Sequence, residues 1–182
     1  MIAENTDFHT AIFDALCACL NLSATEGLKL IHEAYAEPEN TPRPPRSRNA
    51  IYWTILQDPA SDPVSTEYES LSLRSTGTHT PVICTTLKYN LIIVCYGPAS
   101  EAYAQRIRHM LYLDGAGFPR RILRDAGIFP LPDPPPVSIL HEEEGSLWRK
   151  RADLTVSLRV RHEERGDARN SIALPATVTL YK

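Results

Sequence analysis

Long apolar runs are missing from this chain. The longest, Leu91 to Tyr96, falls far short of the roughly 20 residues that a membrane-spanning helix needs. The opening residues, Met1-Ile-Ala-Glu-Asn-Thr-Asp7, have neither the basic start nor the apolar core of a signal peptide. The expectation is a soluble protein made in a cytoplasm, with no membrane partner. Basic excess is missing as well. Lys and Arg number 19 against 22 Asp and Glu, a net charge of -3, so no overall electrostatic pull draws the chain to nucleic acid. Cysteine is sparse. Cys17 and Cys19 sit two apart and would point away from each other on a helix, which excludes joint chelation of an ion there. Cys84 and Cys95 fall in apolar strands, where the residue acts as a small hydrophobe. All four are expected to be buried, reduced thiols.

Signatures of site chemistry are also lacking. His141-Glu142 and His162-Glu163 resemble the start of a zinc-protease helix, but neither has a second His four residues on. Glu142-Glu143-Glu144 offers three carboxylates, yet acid–base pairs need unlike environments to separate their pKa values. Three consecutive acids beside a glycine read as a solvated loop. No Gly-x-Ser-x-Gly elbow and no glycine-rich phosphate loop occurs, and no Glu-x-Lys lies in a strand. Gly115-Ala-Gly117 reads as two helix-breaking glycines. An enzyme is not expected, nor a metal or cofactor.

What is present is an ordinary globular composition, 43% apolar and 23% charged over 182 residues, suited to one domain. Phe8, Ile12, Phe13, Leu16 and Leu20 recur at helical spacing behind a cap at Thr6-Asp7, which predicts a helix from about Asp7 to Asn21. Ser23-Ala-Thr-Glu26 matches a capping box, but Leu28 to Ala36 reads equally as helix or strand. Pro38 to Arg48 is a proline-rich connector within the domain. Ala50 to Leu56 is rich in β-branched and aromatic residues and predicts a strand. Glu67 to Arg74 predicts a weaker edge strand, and Val82 to Tyr96 the central one. Ser100 opens a helix with Tyr103, Ile107, Met110 and Leu111 inward and Glu101, Gln105, Arg106 and Arg108 outward. A short helix follows between Pro119 and Gly127. The prolines from 130 to 136 form a second, extended connector. Ala152 to Arg161 alternates as a strand, with Leu154, Val156, Leu158 and Val160 on one face, and a last strand runs from Ile172 to Tyr181. The predicted class is α+β: a mostly antiparallel sheet of about five strands with two or three helices on one face.

Arg106, Arg108, Arg120, Arg121 and Arg124 cluster along the chain, with Arg149-Lys150-Arg151 farther on. They could form a nucleic-acid patch, but interleaved exposed aromatics and a helix-turn-helix pattern are missing. They could be solvated helix faces. They could also pair with carboxylates of a neighbouring subunit, because arginine is favoured in interface ion pairs. Trp148 would anchor the sheet if buried and serve as an interface hot spot if exposed.

The order of these signposts resembles the phage neck and tail terminator proteins. Asn49-Ala-Ile-Tyr-Trp53 follows the first proline-rich stretch, and Leu91-Ile-Ile-Val-Cys-Tyr-Gly-Pro98 runs into the Ala99–Leu113 helix. Arg121-Ile-Leu-Arg-Asp-Ala-Gly-Ile128 and Leu147-Trp-Arg-Lys-Arg-Ala-Asp153 complete the match, which spans Thr41 to Tyr181. Ser61 to Pro81 falls outside it and reads as a longer hairpin. The resemblance implies a structural virion protein of the tail or neck, assembled in the host cytoplasm, with no catalytic residues and no cofactor. It implies a homohexameric ring that stacks on the last tail-tube ring, stops tube growth and presents a docking surface to the head–tail connector or stopper. DNA would pass through the lumen without sequence readout. Ring contacts are head-to-tail, so unlike faces must complement each other. The residues nominated for that contact are Arg106, Arg120, Arg121 and Arg124 against Glu142, Glu143 and Glu144, with Trp148, Arg149 and Arg151 alongside. Rival readings are a head-completion, connector or baseplate protein, a phage nucleic-acid-binding protein with salt-sensitive affinity, and a small-molecule enzyme, for which no pocket residues can be named.

Overall fold

Alternating apolar residues in two long strands organise the molecule. The structure, a computed structural model, describes residues 5–34, 47–58, 64–68, 78–79, 82–112, 117–144, 147–165 and 169–170. In chain order these form α1 (Asn5–Leu20), α2 (Ala24–Leu30), β1 (Ile31–Glu33), β2 (Ala50–Gln57), β3 (Val64–Tyr68), β4 (Thr78–His79) and β5 (Val82–Tyr96). There follow α3 (Ser100–Tyr112), α4 (Phe118–Asp125), β6 (Ile128–Pro130), β7 (Ser138–Glu144), β8 (Leu147–Arg165) and β9 (Arg169–Asn170).

The main sheet has the order β1-β2-β5-β8-β6, with β3 also beside β5 and β7 also beside β8. β2 takes the end of β5 from Tyr89 to Tyr96, and β3 the end from Val82 to Thr86. β7 and β6 divide the outer side of β8 in the same way. Seven strands therefore make a sheet five positions wide, antiparallel except where β1 joins β2 in parallel. β4 and β9 pair separately.

One face of this sheet makes the core. Ile51 and Trp53 of β2, Leu91, Ile93 and Cys95 of β5, and Ala152, Leu154, Val156, Leu158 and Val160 of β8 are buried on the same pleat. Against them lie Ile12 and Leu16 of α1, Ala104, Ile107 and Leu111 of α3, and Leu123 of α4. The expected α+β class with helices on one face is what the chain adopts, with four helices among the described residues where two or three were expected.

The helix ends follow from local chemistry. Asn21, at φ 58, takes the left-handed position after α1, and Leu22 N–H donates back to the Cys17 carbonyl at 2.9 Å. The Ser23–Glu26 capping box forms in both directions and starts α2. The ambiguous segment after it proves to be both predicted structures: helix to Leu30, then strand from Ile31. Gly127, at φ 74, closes α4 beside Arg161, whose N–H donates to the Gly127 carbonyl at 3.0 Å.

Several expectations change. Glu142 to Glu144 is not a loop but the end of β7, because a strand can run to the sheet edge with charged side chains once its backbone has a partner. In α3 the buried line is Ser100, Ala104, Ile107 and Leu111, with Tyr103 and Met110 only half-buried at its margin. The weak edge strand expected at Glu67 to Arg74 begins earlier, at Val64, and residues 69–77 lie outside the described residues. So do most of the first proline-rich connector and the last strand expected from Ile172 to Tyr181. In the second connector Pro130 ends β6, and Leu131 N–H donates to the Ser157 carbonyl at 2.9 Å.

Cys17, Cys19 and Cys95 are buried free thiols, and the Cys84 side chain lies outside the described residues. Burial pushes the Cys19 and Cys95 thiols up to about 12. Since the thiolate is the reactive form, neither should be alkylated in the native protein at pH 8, and both should be after unfolding. Mass-spectrometric detection of native modification at either site would show that the core opens.

Candidate assembly interface

β8 is 19 residues long and carries different surfaces at two places along it. At its start it pairs with β7, and this hairpin runs past the sheet: Tyr96, the last residue of β5, is opposite Arg151. Residues 147–150 of β8 therefore have only β7 as a described ladder partner, with one extra bond from Gly97 N–H to the Lys150 carbonyl at 3.2 Å. Trp148 stands on the projecting part, 66% exposed, and is directly opposite Glu143, which is also exposed. Ile139 and Leu140 are exposed farther along β7. Of the two possibilities for Trp148, core anchor or surface residue, the structure has the second.

The face of the sheet away from the helices carries a row of rings and cations. His32 of β1 meets Tyr52 of β2 with centroids 5.5 Å apart, and Tyr52 meets Tyr96 of β5 edge-on at 5.9 Å. Arg149 then lies over the Tyr96 ring at 4.4 Å, with Arg151 at 5.8 Å. Arg149 is buried, and its Nε and Nη2 atoms make no hydrogen bond; Glu142 stands directly across the ladder from it. Arg151 donates to both oxygens of Asp153 at 2.7 Å and lies 3.6 Å from Glu142, so its charge is held more firmly than usual, chiefly by the Asp153 bonds. Burial, with help from the Arg48 charge, pushes His32 below its ordinary value. Arg149 and Arg151 thus act within the sheet.

Farther along β8, beside residues 158–160, α4 and β6 frame a shallow cleft of about 270 Å³ lined by Arg120, Arg121, Arg124, Ile128, Phe129 and Pro130. Gly117 and Pro119 start α4, and the following turns place the three arginines toward β6. Arg121 lies 5.4 Å from the ring centre of Phe118, which is exposed, as is Phe129. None of the three arginines forms an ion pair among the described residues. Arg106 stands apart from this cleft. Its Nε donates to the Cys19 carbonyl at 3.0 Å, tying α3 to α1, and Arg108 donates to the Pro135 carbonyl at 2.7 Å. The structure therefore joins Arg120, Arg121 and Arg124, separates Arg106 from them, and sets Glu142 and Glu143 at the far end of β8. The Glu144 side chain lies outside the described residues.

The sequence does not single out Phe129 in the cleft, Phe118 beside Arg121, or the row of His32, Tyr52 and Tyr96. The tyrosines share a strand parity away from the apolar positions, which is a visible signal. Their alignment needs the register between strands 40 residues apart or more. Among the described residues no three His, Cys, Asp or Glu side chains cluster in a way that could hold a metal, and no single helix is long and apolar enough to cross a membrane.

Among the described residues, the distinctive aromatic and charged side chains of this α+β sheet sit on separate exposed surfaces. Comparison with known families then gives the group: the profile of the phage neck terminator proteins matches residues 8–180, and the chain belongs to that family. No curated protein matches it. Family membership gives the chain a structural role in the phage tail or neck, a place in that part of the virion, and other tail or head proteins as partners.

Proposed function

We propose that the protein caps the head-proximal end of the tail tube as a homohexameric ring, stops tube polymerisation there and joins the tail to the head connector. The observation that carries this reading is the pair of unlike exposed surfaces set far apart along β8, one at its start and one beside residues 158–160. A closed ring of identical subunits requires such a pair, because each copy must present a different face to each neighbour. From Trp148 to Arg159, which pairs with Phe129 at the cleft, β8 extends roughly 36 Å at about 3.3 Å per residue. Arg120, Arg121 and Arg124 lie at one of these surfaces, Glu143 and Trp148 at the other. Arg106, Arg149 and Arg151, held by their own protomer, support these surfaces from within. DNA passes through the lumen of such a ring without being read.

The test is tail length in particles made when the gene is silenced. Electron microscopy should show overlong, headless tubes. Tails of normal length that fail to join heads would assign the chain to the adjacent connector ring, and normal phage would refute the structural reading.

A further inference from the structure

We propose that the β7–β8 hairpin end of one copy seats in the arginine cleft of the next, with Glu143 and Trp148 as the inserted pair. This rests on the ring reading and names its contact. Glu143 and Trp148 are cross-strand partners, so both side chains stand on the same face of the projecting hairpin. Of the nearby cations, Arg149 belongs to the opposite pleat, where it lies over the Tyr96 ring, and the other two are ion-paired. Lys150, two residues beyond Trp148 and on its face, is paired with Glu101 at 2.8 Å, and Arg151 is paired with Asp153. That leaves an exposed acid and an exposed indole side by side on this face of the hairpin.

The cleft is its complement. Its lining has three arginines, no acid, and an apolar floor of Ile128, Phe129 and Pro130. A planar guanidinium accepts an indole face and a carboxylate at once, the first by cation–π attraction and the second by paired hydrogen bonds. Glu143 meets Arg121 and Arg124, and the Trp148 ring covers Phe129 between them. An exposed tryptophan beside arginine is also the composition of interface hot spots.

The occupant is a second copy. With the cleft beside Arg159 and the hairpin end at Trp148, the two surfaces lie roughly 36 Å apart on one rigid strand, so they cannot meet within a chain. Each copy has one of each, and the contact passes from copy to copy until it closes.

Particles are assembled from a variant carrying Glu143→Cys and Arg124→Cys in place of the silenced gene product, then oxidised and run on a non-reducing gel. The native thiols at Cys17, Cys19 and Cys95 are buried, and every variant is made in a Cys84→Ser background so that the fourth cysteine cannot cross-link. A ladder of linked copies is expected, absent from either single variant. In parallel, Glu143→Arg alone should cut the yield of joined particles at least tenfold. Combining it with Arg121→Glu and Arg124→Glu should restore the yield to within about threefold of the parent. Unchanged circular dichroism of each variant separates a lost contact from a lost fold. Tails of normal length with no ladder and no charge-swap rescue overturn this contact and leave the ring reading standing. If silencing the gene leaves tails unaltered, it is the ring reading that fails. If the cleft variants lose salt-sensitive affinity for duplex DNA while assembling normally, the cleft is a phosphate site and the contact is wrong.

Discussion

Gly97→Ala will lower the stability of this protein by about 3 kcal/mol or more, measured as a shift in urea midpoint at unchanged slope. Gly97 turns the chain from β5 into α3 at φ 100, a region open at little cost only to glycine. Its surroundings leave no room for a methyl group. A Cβ there would lie 2.8 Å from the Arg48 carbonyl oxygen and 2.9 Å from the Asn49 Cα, both backbone atoms that no rotamer change can move. It would also lie 2.7 Å from Asn49 Oδ1, which is fixed because it accepts the Ala99 N–H at 2.9 Å. Three elements meet at this corner: Gly97 donates to Lys150 of β8 and accepts from Ser100 at the start of α3. Gly127→Ala is the control. Its φ of 74 is also left-handed, but the added Cβ meets Arg161 O at an ordinary 3.5 Å, so about 1–2 kcal/mol is expected from conformation alone. Equal losses at the two positions would show that the crowding at Gly97 has no weight.

Leu154→Ala should cost about 4 kcal/mol, near the upper part of the range for a buried leucine. The residue is fully buried at the centre of β8, opposite Ile93. It lies in one continuous core with side chains of α1, α3 and α4, and a cavity lined by several elements cannot collapse by moving only one of them. Thr155→Ala, one residue along and exposed on the other pleat, should change stability by less than about 0.5 kcal/mol. A loss below about 2 kcal/mol at Leu154 would mean that the helices repack over the sheet.

The contrast between positions 154 and 155 is legible in the residue order alone, because a two-residue period of apolar side chains is itself the record of a half-buried strand. The same holds for Leu91, Ile93 and Cys95. The helix caps at Ser23 and Gly127 are legible too, since each depends on atoms within a few residues. β1 is legible only in part: Leu28 to Ala36 reads equally as helix or strand, and it is parallel pairing with Ile51 to Trp53, some 20 residues downstream, that makes Ile31–Glu33 a strand. β7 escapes for another reason. At the sheet edge its charged half has water on one side, so His141-Glu-Glu-Glu144 shows no apolar alternation while its backbone pairs with β8. The arginines illustrate the limit at the candidate interface. Arg106 and Arg121 look alike in sequence, yet one is committed to a carbonyl 87 residues away and the other lines an open cleft. Only tertiary placement separates them.

The ladder between β5 and β8 also sets a schedule for synthesis. Arg151 must pair with Tyr96 about 55 residues earlier in the chain, and the last pair joins Arg165 to Val82. At roughly 5–20 residues per second, β5 waits about 3–11 s on the ribosome before its partner is made. Throughout that wait β2 and β3 pair with one edge of β5, α1 and the nascent α3 lie against its apolar side chains, and its other row of backbone amides has no partner yet made. The protein's most vulnerable moment therefore comes during translation, and slowing the ribosome between codons 97 and 150 should lower soluble yield without altering the finished fold.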